Sequence, residues 1–244
     1  MSDPQFPHAA RENDYGGNVT KVKTERRVRK RFSRSLLFGL SFSLLFILCF
    51  SGPTNAQQIT AQGQRLARFL DNMNVERLWL SHQKVNWRTG NPRGESVTDR
   101  KPHTHCSAFV AATAEKLDIY ILRPPEHSSI MLANAQADWL SRQGSKYGWQ
   151  AVRTAEKAQQ LANRGILVVA VYKARNPGNS GHIAIVRPQV KSPGQIQQDG
   201  PQIIQAGMEN YSSTSLKQGF RHHGHAWERR KIRFFSHAVN WGSV

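Results

Sequence analysis

The apolar residues of this chain change their spacing once, at Gly165, and that change limits the folds open to it. Ahead of Gly165 they recur every three or four residues, the period of a helix; beyond it they gather into short β-branched runs bounded by turn formers, the pattern of strands. The spacing predicts helices over 58–72 (Ile59, Leu66, Phe69, Leu70, Met73), 106–117 (Phe109, Val110, Thr113, Ala114, Leu117), 130–140 and 154–163, the last closed by Gly165. Strands are expected over 166–172, 182–186, 203–206 and 231–235. The first two are joined by Asn176-Pro177-Gly178-Asn179-Ser180-Gly181, a strong hairpin signal. Residues 79–101 read as an irregular loop anchored by Trp79 and Trp87, residues 191–200 as a polar loop, and residues 221–244 as a closing strand plus tail. Helices first and antiparallel strands afterwards give an α+β fold class, with one helix packed on the sheet.

The first 56 residues stand outside this pattern. A polar stretch and the basic block 21–34 precede an apolar run of 15 residues, 36–50. That order belongs to a secretory signal, and the run falls short of the ~18 residues of a membrane span. Ser51, Gly52 and Pro53 break the helix, and Thr54-Asn55-Ala56 offers a small-residue cleavage site before Gln57. The expectation is export with cleavage; the alternative is an uncleaved anchor through 35–51, its basic N-terminus held in the cytoplasm. Either way the rest is periplasmic or extracellular. The domain plan is then 1–34 polar and basic, 35–56 signal, 57–100 an N-terminal helix and loop, and 101–244 the main domain.

Charge narrows the partners. The chain carries 34 Lys and Arg against 16 Asp and Glu, and beyond residue 56 there remain 25 against 12. An exported chain this basic is attracted, in a salt-dependent way, to anionic envelope polymers such as peptidoglycan stems, teichoic acids or lipopolysaccharide. Its Lys and Arg are scattered and no base-stacking motif accompanies them, so nucleic acid is not expected. Membrane contact is expected only if the signal is retained, and the sequence leaves the oligomeric state open. Of the two cysteines, Cys49 lies in the signal, which excludes a disulfide framework in the processed chain.

That leaves Cys106 as a lone thiol in an exported domain, either buried or used. At a helix N-terminus the unpaired amides and the dipole favour a thiolate, which would lower the thiol pKa. His182 opens a strand after the hairpin turn and is expected to project from the sheet edge region toward a packed helix, as proton acceptor. Gln205 on the next strand is placed to orient that imidazole. A competing zinc site from His103, His105, His222, His223 and His225, or from His105, Cys106 and His182, lacks zinc spacing and a carboxylate partner, so no metal and no cofactor are expected.

These residues resemble the papain-like NlpC-type cell-wall peptidases and amidases. His105-Cys106-Ser107-Ala108-Phe109-Val110 is similar to the family's Asp-Cys-Ser-Gly-Phe-Val, Gly165-Ile166-Leu167-Val168-Val169 to its Gly-Asp-Leu-Val-Phe, and Gly181-His182-Ile183-Ala184-Ile185-Val186 to its Gly-His-Val-Gly-Ile-Tyr. Ile204-Gln205-Ala206 resembles the strand that bears its third polar residue. The resemblance covers about residues 102–207. It implies a papain-like fold, Cys106 as nucleophile, His182 as base and then acid, Gln205 as the orienting group, and the Cys106 amide as one oxyanion donor. Ser107, His105 and Trp87 are the residues expected to border the substrate. His105 replaces the acidic residue associated with binding a substrate amine, so the substrate is expected to differ. Residues 118–150 read as an insertion that shapes the cleft or is a structural helical hairpin. The expected activity is a thiol hydrolase cutting amide or peptide bonds, with peptidoglycan stem peptides as the favoured substrate. The alternatives are a non-catalytic basic envelope-binding module of the same fold and a secreted amidase acting on proteins.

Overall fold

In the computed structural model, residues 58–94, 103–176 and 178–243 are described, and they belong to one compact unit. The expected signal, 35–56, and the basic N-terminus lie outside these residues, and no described helix is long and apolar enough to cross a membrane.

In chain order the elements are α1 (Ala61–Asn72), α2 (Cys106–Lys116), α3 (Leu132–Arg142), β1 (Gln150–Val152), α4 (Ala155–Asn163), β2 (Leu167–Tyr172), β3 (His182–Val186), α5 (Pro193–Asp199), β4 (Gln202–Gln205), β5 (Tyr211–Ser215), α6 (Leu216–Gly219) and β6 (Arg233–His237). The strands form one antiparallel sheet in the order β1-β6-β2-β3-β4-β5, so the fold is α+β. The predicted hairpin is present, with Tyr172 opposite His182.

The sequence led to one helix on the sheet; the molecule instead buries both faces of it. Leu167, Val169, Val171, Ile183, Ile185 and Ile204 face a core shared with α1, α2 and α3, while Val168, Ala170, Ala184, Val186 and Ile203 face α4, α6 and Phe220. Strands buried on both faces become continuous apolar runs rather than alternating ones, which is why β2 and β3 read Leu-Val-Val-Ala-Val and His-Ile-Ala-Ile-Val. The expected one-sided stripe on α2 is likewise corrected: Cys106 through Ala114 are all buried. A helix with no wet face is a core helix, and the alanines at 108, 111, 112 and 114 keep it slim enough to lie against β3.

The N-terminal helix, expected to pack on the main domain, and the expected insertion share this core. Leu66, Leu70, Val75 and Trp79 pack in it, as do Ile119, Ile121, Ala137, Leu140 and Trp149. Gln136 of α3 donates its amide to the carbonyls of Ser107 (3.2 Å) and Leu122 (2.9 Å), tying 118–150 to the head of α2.

Four elements escaped the sequence reading, among them the single turn of α6. The supposed loop 191–200 contains α5, opened by a capping box in which Ser192 and Gln195 satisfy each other's backbone amides, a signal present as Ser-Pro-Gly-Gln. β5 is Tyr-Ser-Ser-Thr-Ser, without apolar alternation, and is held by pairing to β4 and by the Gln202–Ser213 side-chain bond of 2.8 Å. β1 has three residues and exists through its pairing with β6. The strand expected over 231–235 is present as β6, which lies inside the sheet between β1 and β2.

Gly165 turns the chain from α4 into β2 at φ +80°, where a Cβ would stand 2.6 Å from the backbone of Gln62 in α1. Gly94 has a similar φ, +74°, but nothing within 4 Å. Both Gly→Ala changes carry the left-handed strain of roughly 1 kcal/mol, and only Gly165→Ala adds a backbone collision. Thermal unfolding is therefore expected to show Gly165→Ala lowering Tm by about 4 °C or more beyond Gly94→Ala. Equal losses would mean that α1 is not packed on this turn.

Candidate active site

The site forms where the head of α2 meets the first residue of β3 and the last residue of β4. β3 is an interior strand, so His182 is not at a sheet edge as expected, and its ring does not turn to α2. It packs edge-on against Phe220 (centroids 4.6 Å, 72°) and lies parallel to the ring of His223 (4.7 Å, 11°).

The imidazole is oriented by Gln205, across a bond of 2.8 Å between His182 Nε2 and Gln205 Oε1. Gln205 in turn donates its Nε2 to the carbonyl of Glu209 (3.1 Å). Because the amide nitrogen is committed there, its oxygen faces the histidine and must accept, which puts the ring proton on Nε2 and leaves Nδ1 as the acceptor. The loop carrying Glu209 is fixed by Asn210. This side chain accepts from Gly207 N (2.9 Å) and donates to the carbonyls of Val75 (2.7 Å) and Leu78 (2.9 Å). Ion pairing of Glu209 with Arg221 adds a second tie. Gly219 backs the amide, since a Cβ there would stand 2.5 Å from Gln205 Oε1.

Cys106 is the first residue of α2, as the sequence indicated, and is only 4% exposed. The sequence led to a thiolate, and the surroundings oppose it: burial pushes the thiol pKa up. The amides of Ile183, Ser107 and Cys106 itself, with the Ser107 hydroxyl, pull it back only in part. The Ile183 amide at the sulfur puts the residue after His182 against Cys106. Among the described residues no hydrogen bond joins Sγ to the imidazole. The resting pair is therefore neutral thiol and neutral imidazole. His182, 3% exposed, is pushed down to about 4 by burial, with the Gln205 bond acting the other way. His223 is held at about 3 by burial and by the facing His182 and His222.

A cavity of about 810 Å³ opens beside His182; its walls include Thr104, Gly181, His182, Gly207, Met208 and His223, while Cys106 and Gln205 do not line it. Of the residues expected to border the substrate, Ser107 is buried at the sulfur, while His105 and Trp87 do not line this cavity. His105 Nε2 bonds the carbonyl of Gln83 (2.7 Å), which locks loop 79–94 onto the helix head. Trp87 is half-buried against the core, with the Arg88 guanidinium 4.8 Å above its ring and its carbonyl taking the Trp79 indole N–H (3.0 Å). No residue of 118–150 lines the cavity.

Two residues were missed. His223 was read as a loop or zinc histidine, and it instead roofs His182. Gln83 has a buried amide oxygen without a partner among the described residues, the kind of group that calls for an explanation. No sequence spacing points to either, since both act across folds of the chain. Among the described residues no group of three or more His, Cys, Asp or Glu is arranged to hold a metal ion.

Comparison with protein-family models and with curated proteins returned no match to the chain.

The buried imidazoles set the acid response. An unfolded histidine titrates near 6.5, while folded His182 and His223 take up protons only near 4 and 3, so the unfolded state binds more protons in between. Stability is thus full above about pH 6.5 and falls as the pH drops toward 4, with His182 alone costing on the order of 2 kcal/mol at pH 5. Urea unfolding across this range is expected to show that slope, and His223→Phe, which keeps an aromatic roof without a titrating group, to make it shallower. An identical slope in the variant would exclude these imidazoles as its source.

Proposed function

We propose that this chain is an exported, papain-like cysteine hydrolase that cuts amide or peptide bonds, with Cys106 as nucleophile, His182 as base and acid, and Gln205 as the orienting group. The observation that carries the reading is the buried 2.8 Å bond from His182 to Gln205, on a strand whose next amide meets the sulfur of Cys106. The substrate, peptidoglycan stem peptide, rests on the resemblance of residues 102–207 to cell-wall peptidases and on the signal-like N-terminus.

With Nε2–H given to Gln205, Nδ1 is the free acceptor and takes the thiol proton once opening of the site brings it within reach of Sγ. The thiolate then attacks the carbonyl carbon, and the electron pair displaced onto oxygen is received by the Cys106 amide at the head of α2. Collapse breaks the C–N bond while the imidazolium returns its proton to the departing amine. Water, deprotonated by the same imidazole, attacks the thioester, and the carboxylate leaves as Sγ regains a proton. The ring stacked on His182 belongs to a resting, closed site, and in this reading substrate displaces His223 before the pair ionises.

One observation favours a second reading, a non-catalytic binding module: the thiol is buried, its pKa is raised, and it makes no bond to the imidazole. Iodoacetamide alkylation against pH separates the two, in a Cys49→Ser background so that Cys106 is the reporting thiol. For the hydrolase, His223→Gly is expected to speed alkylation and move its midpoint below the ~8.5 of a free thiol, and adding His182→Ala to reverse both effects. A thiol that titrates at or above 8.5 in every variant identifies a binding module. Digestion of muropeptides is expected to vanish in Cys106→Ala and to fall about a hundredfold in kcat in Gln205→Ala, where the tautomer is no longer held. Turnover of glutamine-containing proteins in place of muropeptides would reassign the substrate.

A further inference from the structure

Next to the catalytic cavity lies a second depression, of about 410 Å³, and its walls are cationic: Arg175, Arg229, Arg230, Lys231 and Arg233, with Lys173 at one side. The two spaces adjoin, since both are lined by Tyr172, Arg175 and Gly224. We infer that this trough is a binding site for an acidic peptide segment, which it leads past the shared residues Tyr172 and Arg175 toward the cavity at His182. The inference rests on the hydrolase reading for the identity of the second space and extends it to the substrate's charge.

Basic residues that the sequence shows as scattered are here gathered from the β2–β3 turn and from the segment before β6. Lys173 is neutralised by Asp138 (2.6 Å), and Arg233 is turned to the Ser141 hydroxyl (2.5 Å). Arg175, Arg229, Arg230 and Lys231 are exposed, and among the described residues none of them meets a carboxylate; Glu228, beside them in sequence, faces Lys217 and His225 instead. Four unneutralised cations around one depression repel each other and are relieved by an anionic occupant.

The display is also held in place. Ala226 is buried, the Trp227 indole donates to the Gln198 carbonyl (3.2 Å), and the amides of Arg229, Arg230 and Lys231 are bonded within the turn. Arg230 sits at φ +51°, a conformation that glycine or asparagine adopts more cheaply, so backbone geometry alone does not account for an arginine there. A peptide fits this trough better than a nucleic acid strand. Tyr172 is the one ring on its walls, and it is already tilted against His223 (5.7 Å), which leaves no platform for successive bases.

The test is anisotropy of fluorescein-labelled hexaglutamate on the full chain carrying Cys106→Ala, so that binding is read without turnover. Arg229→Glu with Arg230→Glu is compared with Arg68→Glu with Arg77→Glu, a pair of exposed arginines outside the trough with the same change in charge. The trough pair is expected to weaken binding roughly tenfold or more and to flatten its salt dependence, while the control pair changes it less than about threefold. Equal losses in both pairs overturn the trough, because attraction would then follow net charge alone. A thymidine strand of equal charge that binds more tightly than the peptide, and is lost in the trough pair, overturns the peptide assignment. Arg229→Gln with Arg230→Gln, a milder change, guards against misfolding and is expected to weaken binding in the same direction. An inert thiol in the alkylation experiment removes the hydrolase reading and leaves selective binding measurable, so the two failures are distinguishable.

Discussion

The packing of α2 against the sheet is the constraint on which the rest depends. A helix buried over all of Cys106 to Ala114 has no solvent face to trade away, so other elements must enclose it. The strands β2, β3 and β4 cover one side, and α1, α3 and the Trp79 loop cover the others. Phe109, fully buried, meets the Trp79 ring edge-on at 5.3 Å and joins that loop to the helix. This enclosure brings the residues of 58–94 and of 118–150 into one core with the helix, although the second stretch reads as an insertion in the sequence. It also fixes the first turn of α2, which meets β3 at Ile183.

Burial of that first turn has a cost that shapes the site. A thiol taken out of water resists ionisation, and so does an imidazole, whereas a helix N-terminus and aligned amides favour the thiolate. At Cys106 burial is the larger effect, since the donors around the sulfur lower its pKa by less than burial raises it. The same balance holds at His182, where the Gln205 bond does not offset burial beneath Phe220 and His223. Cys106 and His182 are thus both uncharged, with His182 beneath an aromatic roof. Ionising them requires either a change in solvation or a new neighbour.

Much of the fold is legible in the sequence because its signals are local. The limits of α2, the Gly165 turn and the hairpin between β2 and β3 follow from apolar spacing, a glycine that reaches positive φ, and an Asn-Pro-Gly-Asn-Ser-Gly turn, each set by neighbours a few residues away. Gln205 was legible too, as a polar residue on an otherwise apolar strand beside the histidine strand. β5 was not, because Tyr-Ser-Ser-Thr-Ser carries no apolar alternation and its strand character comes from backbone pairing with β4. The capping box of α5 was present in the letters Ser-Pro-Gly-Gln but is easily taken for a turn, since Ser, Pro and Gly serve both.

What the sequence by itself determined is the α+β order of elements, the cysteine at a helix head and the histidine and glutamine on adjoining strands. Only the tertiary structure decided their ionisation, the tautomer that Glu209 imposes through Gln205, the roof that His223 lays on His182, and the joining of Arg175 with Arg229, Arg230 and Lys231 in one trough. The physical reason is range. Periodicity and turn chemistry act over a few residues along the chain, whereas burial, hydrogen bonding and charge act over a few ångströms in space, between residues that the chain itself keeps far apart.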